Sequence, residues 1–332
     1  MLKDSLGRHI DYLRVSLTDR CNFRCTYCMP ENMQFAPRSE NLAASELALI
    51  CQAFVELGVK KIRLTGGEPL IHPDFPLLLQ TLSQFPALER IAITTNGALL
   101  AQHIDVIKHS KVQQLNISLD SINPATFAQM TRTQDGELAK VLAGIDAAIA
   151  AGIERIRLNA VVSKGFNDAQ LHELLHFAMA RGVHIAFIEE MPLGAMQGYS
   201  RSAQTLSNDW VKAQLQQHVT LIPQVQKLRQ SGPAQYYQVA GSHTEVGFIS
   251  PHSNNFCASC NRVRLTRKGQ LILCLGDDGA LDLRALLRAS STPLADLKKT
   301  IVAALQHKPA SHNFDVNSDA TQVLRFMNVT GG

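Results

Sequence analysis

From residue 10 to residue 190, short runs of β-branched and aliphatic residues alternate with stretches whose apolar positions recur at helical spacing. Strands are predicted over 12–16, 61–64, 90–94, 114–119, 155–161 and 183–188. Helices are predicted over 46–57, 75–84, 103–108, 136–151 and 168–181. Ser45 and Asp168 can cap two of them, and Gly58, Gly152 and Gly182 stop three. About six β-α repeats imply a parallel sheet with right-handed crossovers. That falls short of the eight repeats of a closed barrel. The expected fold class is therefore α/β, a partial (open) TIM-type barrel with an added C-terminal segment. Functional groups should collect at the carboxyl edge of such a sheet.

The pattern changes past residue 195, which divides the chain into a barrel region, 1–195, and a C-terminal region, 196–332. Residues 194–208 are rich in Gly, Ser and Gln and read as a linker or mobile loop. Residues 236–239 and 245–249 read as strands. A polar tail over 309–332 ends in Gly331-Gly332.

Composition narrows the class. Of 332 residues, 45% are hydrophobic and 18% charged, which excludes a disordered or fibrous chain. The net charge of +4 is too small to argue for nucleic acid. No run is long and apolar enough for a membrane helix, and the first residues hold no apolar signal core. A cytoplasmic protein is expected, with no nucleic-acid or membrane partner.

The seven cysteines change the picture most. An odd number argues against a disulfide framework, and in a reducing compartment clustered cysteines point to metal or catalysis. Cys21, Cys25 and Cys28 are spaced C-x3-C-x2-C. Three thiolates can hold three irons of a cubane, which normally takes four, so one iron is left open to a small molecule. A zinc site would want a fourth ligand, and residues 15–35 offer none, so zinc would have to be completed from afar. Cys257, Cys260 and Cys274 form a second three-cysteine set beside Arg262 and Arg264. Guanidinium forks suit phosphate, which suggests an anionic substrate. An electron-relay cluster completed by His252, or a zinc ribbon, are the alternatives for this set. Gly66-Gly67 allows close backbone approach. Glu68 could be only a helix-start charge. Cys51 sits on the apolar face of its helix and reads as a buried small hydrophobe.

Cys21-x3-Cys25-x2-Cys28, with Tyr27 before the third cysteine and Gly66-Gly67-Glu68-Pro69 after the second strand, resembles the radical S-adenosylmethionine signature. Further motifs are Thr65-Gly66-Gly67-Glu68-Pro69, Thr94-Thr95-Asn96-Gly97, Ser118-Leu119-Asp120-Ser121 and Phe187-Ile188-Glu189. With both cysteine sets and the final Gly331-Gly332, they span nearly the whole chain and resemble the GTP 3′,8-cyclase family of molybdenum cofactor biosynthesis.

The resemblance implies two [4Fe-4S] clusters, one on Cys21, Cys25 and Cys28 and one on Cys257, Cys260 and Cys274. It implies S-adenosylmethionine on the first, lined by Tyr27, Gly67, Ser118 and Met191. It implies GTP on the second, contacted by Arg14, Arg63, Thr94, Arg157, Arg262 and Arg264. A 5′-deoxyadenosyl radical would abstract the ribose 3′ hydrogen, and the carbon radical would attack C8 of guanine. Arg14, Arg262, Arg264, Gly331 and Gly332 would serve catalysis, with the tail reaching into the site. The resemblance also implies a reducing electron donor and a functional hand-off to cyclic pyranopterin monophosphate synthase, and it leaves room for a homodimer.

Arg157 stands where the family commonly has Lys, Ala186 where Arg is expected, and His72-Pro73 where a basic pair is expected. A radical enzyme that modifies peptides through an auxiliary cluster is the first alternative, and an inactive iron–sulfur or zinc relative the second. Three C-terminal cysteines beside Arg262 and Arg264 suit a triphosphate better than a peptide.

Overall fold

The computed structural model describes residues 2–196, 199–224, 232–254, 256–312, 314–315 and 321–331. The first six strands are β1 (Tyr12–Ser16), β2 (Lys61–Thr65), β3 (Arg90–Thr95), β4 (Val112–Ser118), β5 (Arg155–Val161) and β6 (His184–Ile188). They lie side by side in parallel, in chain order. The C-terminal region adds β7 (Leu221–Pro223), β8 (Ala234–Val239), β9 (Glu245–Ile249), β10 (Arg262–Leu265), β11 (Gln270–Ile272) and β12 (Leu281–Asp282). β10 joins β1 and β9 joins β6, both in parallel, so C-terminal strands extend both edges of one sheet. The antiparallel strands β11, β12, β8 and β7 finish the two ends, and the barrel does not close.

Side-chain alternation on the strands separates core from cavity. Leu13, Val15, Ile62, Leu64, Ile91, Ile93, Leu115 and Ile117 are buried in one apolar core. Helices α1 (Ala44–Glu56), α2 (Phe75–Ser83) and α3 (Leu100–Lys108) cover it with residues such as Ile50, Phe54, Leu79 and Ile107. Each such side chain fully buried contributes roughly 1.5–3 kcal/mol. Helices α4 (Pro124–Thr131), α5 (Glu137–Ala150) and α6 (Leu171–Ala180) continue the layer. The intervening positions, including Tyr12, Arg14, Lys61 and Arg63, line a cavity instead. Beyond β6 lie α7 (Arg201–Gln204), α8 (Asn208–Gln216), α9 (Leu283–Ala289), α10 (Pro293–Leu305) and α11 (Met327–Thr330).

Several predicted boundaries move. α1 begins ahead of Ser45, because the Glu46 carboxylate reaches back to the Ala43 N–H at 2.8 Å and closes the first turn. Asp168 opens a 3-10 turn, Asp168–Gln170, rather than capping α6 directly. α4 was not predicted. Asn123 caps it, accepting from the Ala125 and Thr126 N–H groups at 3.0 and 3.1 Å, with Pro124 in the first turn. The described part of 194–208 is tied down. Arg201 is buried and donates to Glu190 at 3.0 Å and to the Gly194 carbonyl at 3.0 Å. Cys51 is fully buried on α1, as expected.

Candidate active site

At the carboxyl edge, Cys21, Cys25 and Cys28 line a largely apolar cavity of about 170 Å³. Tyr27, Gly67, Ser118 and Met191 line it too. The loop is held by its backbone. The Arg24 and Thr26 N–H groups donate to the Thr131 and Met130 carbonyls, each at 2.9 Å. Tyr27 donates to Asp120 at 2.7 Å, and Asp120 in turn accepts from the Val161 N–H at 2.8 Å. Glu68 is buried and is more than a helix-start charge. It accepts from Leu70 N–H at 3.0 Å, Thr95 hydroxyl at 2.7 Å and Asn96 N–H at 2.6 Å, so it clamps the ends of β2 and β3 together.

The glycine pair serves a backbone rather than a ligand alone. Gly67 N–H donates to the Thr18 carbonyl at 2.7 Å, and Glu68 N–H to the Arg20 carbonyl at 2.8 Å. A Cβ on Gly67 would overlap the Arg20 carbonyl, just ahead of Cys21. Gly67→Ala should therefore destabilise the protein by about 1–3 kcal/mol, read by denaturant unfolding, and lower the iron content of the first site.

The three thiols fit a cluster. Burial pushes Cys21 and Cys28 up to about 12, with Glu68 adding to the first and Cys21 to the second. Burial, Asp120 and the neighbouring cysteines push Cys25 well above the ordinary thiol value. Buried thiols that hold one another protonated need a cationic centre before they can ionise together. Among the described residues no three such side chains converge to share a single metal ion. A cubane spaces its ligands differently, because each thiolate binds its own iron.

A second cavity, of about 550 Å³, adjoins the first. Thr94, Asn159, Ile188, Met191 and Met327 line both. Cys257, Cys260 and Cys274 lie on its wall. Burial opposes ionisation of Cys260, but Arg262 and Lys308 bring it down to about 7. Burial raises Cys274, and Cys260 and Cys257 act in the same direction. His252 does not line this cavity. Its ring is bonded to the Glu190 carbonyl at 2.7 Å, and His312 is the histidine on the wall.

The rest of the wall is cationic, and the strand register explains why. Arg14 on β1 lies opposite Arg63 on β2 and Arg264 on β10, while Tyr12 lies opposite Lys61 and Arg262. Alternation then aims all of them inward. Burial, with repulsion from Arg63 and Arg262, lowers Arg14 to about 10, and Arg264 is driven well down by burial, Arg14 and Arg262. Lys61 falls to about 7 through burial, with Tyr12 opposing. Burial would raise Tyr12, yet Arg63, Arg14, Lys61 and Arg262 bring it down to about 6. Cations packed this way in a buried wall await an anion. Arg63 is fixed by the Tyr12 oxygen at 2.6 Å and the Thr94 hydroxyl at 3.1 Å.

The C-terminal tail packs its short helix α11 against β1. Asn328 donates to the Asp19 carbonyl at 2.7 Å, and Arg264 donates to the Thr330 carbonyl at 3.3 Å and to the Gly331 carbonyl. Gly332 lies outside the described residues.

Two sequence profiles divide the chain. The Radical SAM superfamily matches residues 15–178, and Molybdenum Cofactor Synthesis C matches residues 183–314. A GTP 3′,8-cyclase of Ectopseudomonas mendocina is 50% identical over 331 residues, covering 100% of this chain and 98% of the relative. GTP 3′,8-cyclase 2 of Pseudomonas aeruginosa is 49% identical with the same coverage. The chain belongs to the GTP 3′,8-cyclase family. Among solved structures, Streptococcus suis SuiB bound to S-adenosylmethionine has a TM-score of 0.63 at 14% identity, covering 97% of this chain and 77% of that one. That likeness speaks for the radical-enzyme fold alone.

In this family member the described residues of the expected site line the two cavities, except Gly331, which lines neither and reaches the site only through its carbonyl on Arg264. The structure also brings in residues the sequence did not single out. Lys61 and Tyr12 precede Arg63 and Arg14 by two positions, so the strand alternation that puts the arginines on the cavity face puts them there too. Asn116, Tyr236 and Lys308 left no comparable signal.

Proposed function

We propose that the chain is a GTP 3′,8-cyclase, a radical S-adenosylmethionine lyase that converts GTP to (8S)-3′,8-cyclo-7,8-dihydroguanosine 5′-triphosphate for molybdenum cofactor biosynthesis. One observation carries the reading: a thiol-lined apolar cavity shares a wall with a cation-lined one. When bound, the two [4Fe-4S] clusters and S-adenosylmethionine supply a one-electron C–S cleavage and a carbon radical.

The chain's own residues bind, orient and shield. Cys21, Cys25 and Cys28 would hold the first cluster and Cys257, Cys260 and Cys274 the second. Tyr27, Gly67, Ser118 and Met191 would seat S-adenosylmethionine. Arg14, Arg63, Arg157, Arg262 and Arg264 would receive the triphosphate, whose charge meets theirs in a low-dielectric wall. Thr94 and Met191, on the shared wall, would set the separation between the two ligands. The tail with Gly331 and Gly332 would exclude water from a reactive carbon centre.

A reducing electron donor is required, and the product would pass to cyclic pyranopterin monophosphate synthase. A homodimer and a cytoplasmic location are consistent with this reading. Among the described residues no helix is long and apolar enough to cross a membrane.

The test is one anaerobic turnover of reconstituted protein with dithionite, S-adenosylmethionine and GTP, followed by mass spectrometry. The expected result is 5′-deoxyadenosine together with a cyclised GTP isomer. 5′-Deoxyadenosine without GTP conversion would overturn the substrate. Neither product from protein holding both clusters would overturn the activity.

A further inference from the structure

Ala186 leaves β6 without the positive charge expected there, and the structure puts a different group in that space. Ala186 lies opposite Gly247 on β9, and Gly247 lies opposite Tyr236 on β8. Ala186, Ala234 and Ile249 form a small buried cluster, with Ile188 and Tyr236 packed on it. The slot is tight. A Cβ on Gly247 would stand 3.0 Å from the Tyr236 ring, 3.2 Å from the Ala234 Cβ and 3.3 Å from the Ala186 Cβ. Small residues on three neighbouring strands therefore make room for one aromatic ring.

The hydroxyl of that ring, on β8, meets the end of a side chain that comes from β5, beyond β9 and β6. The Tyr236 oxygen accepts from Arg157 Nη1 at 2.5 Å, and the Arg155 guanidinium lies over the ring at 5.3 Å from its centroid. Arg157 Nε donates to Asn159 at 3.0 Å. With the Asn116 amide oriented to face the two arginines, its oxygen accepts from Arg157 Nη2 at 2.6 Å and from Arg63 Nη1 at 3.1 Å. The result is a chain, Tyr12–Arg63–Asn116–Arg157–Tyr236, with a phenol at each end. Both arginines line the cationic cavity.

We propose that Tyr236 is a positioning residue for the nucleotide's phosphates, holding the Arg157 fork in the orientation that receives them. The proposal rests on reading the cationic cavity as the GTP site. A guanidinium on a long side chain loses rotamer freedom when it binds, and prior fixation removes part of that cost. Burial would push the Tyr236 phenol up, but Arg157 and Arg155 bring it below the ordinary tyrosine value, as expected of an oxygen that serves them as an acceptor. Tyr236 thus packs beside Ala186 and, past β9 and β6, holds a cation that is already present rather than replacing the one absent at position 186.

The test uses the full-length protein with both clusters. Tyr236→Phe keeps the ring in its slot and removes only the oxygen. GTP affinity, by anaerobic equilibrium dialysis, should weaken about tenfold, and KM should rise in step while kcat moves far less. Arg157→Lys should weaken affinity similarly, and the double variant should add little to either single change, because the two residues act as one unit. Thermal melting checks that the ring still packs. Unchanged affinity in Tyr236→Phe, or full additivity in the double variant, would overturn the proposal while leaving the GTP reading intact. Wild-type protein that binds no GTP would overturn both.

Discussion

Cys25→Ala should abolish formation of 5′-deoxyadenosine and cut the iron content from two clusters to one, while the protein stays folded. The loop keeps its shape without the thiol. Cys28 N–H donates to the Cys25 carbonyl at 3.0 Å, and Arg24 and Thr26 are tied to the end of α4 through backbone groups that alanine also possesses. The substitution therefore removes one iron ligand and leaves its frame. Losing a partner outside the ligand set costs a metal site roughly 10- to 100-fold, and losing a ligand should cost more. Iron and sulfide analysis, product detection and a thermal melt together read the outcome. Cys51→Ala is the control. That thiol is buried on α1 away from both cavities, so its loss should lower the melting temperature and spare both clusters. Iron loss in the Cys51 variant, or retained S-adenosylmethionine cleavage in the Cys25 variant, would reverse the assignment.

How much of this was legible beforehand follows from what periodicity encodes. On β1 and β2 the alternation of Leu13 and Val15 with Tyr12 and Arg14, and of Ile62 and Leu64 with Lys61 and Arg63, carries two faces, but it is the family resemblance that singles out Arg14 and Arg63, and Tyr12 and Lys61 are not singled out at all. Cysteine spacing marked both thiol sets, because ligands of one centre lie close in sequence. What the pattern could not carry was pairing between distant segments. Nothing local in Arg262–Leu265 says that it lies beside β1, yet that parallel register puts Arg264 next to Arg14. Likewise Tyr236 reads as a strand residue, and its function depends on small residues at 186 and 247 that only the folded sheet brings opposite it. α4 was lost for a different reason. Its Asn123-Pro124 start reads equally well as a turn, and an eight-residue helix offers too few periods to decide. α9 and α10 were legible in principle. Asp282 caps the first, and Pro293 opens the second.

Gly331→Ala should uncouple the two half-reactions, with GTP conversion falling at least tenfold while S-adenosylmethionine is still cleaved. Gly331 has φ +79° and ψ 116°, a backbone conformation that residues with a side chain rarely adopt, at a cost of roughly 1–3 kcal/mol. A Cβ there would also overlap the Thr65 methyl at the end of β2. α11 is a four-residue helix ending at Thr330, so it has little with which to resist displacement. The tail would move, and Arg264 would lose the Gly331 and Thr330 carbonyls that now hold it at the cavity wall. The cysteine sets lie on other segments, so iron content should not change. Removing Gly331 and Gly332 together should end cyclisation altogether with cluster content intact. A second substitution separates displacement from general damage. Thr65→Ala takes away the methyl that a new Cβ would strike, so adding it to Gly331→Ala should restore part of the GTP conversion, with the remaining deficit set by the φ strain. The readout is the ratio of cyclised nucleotide to 5′-deoxyadenosine. A ratio unchanged in Gly331→Ala would mean that the tail's carbonyls do not position Arg264 for the reaction.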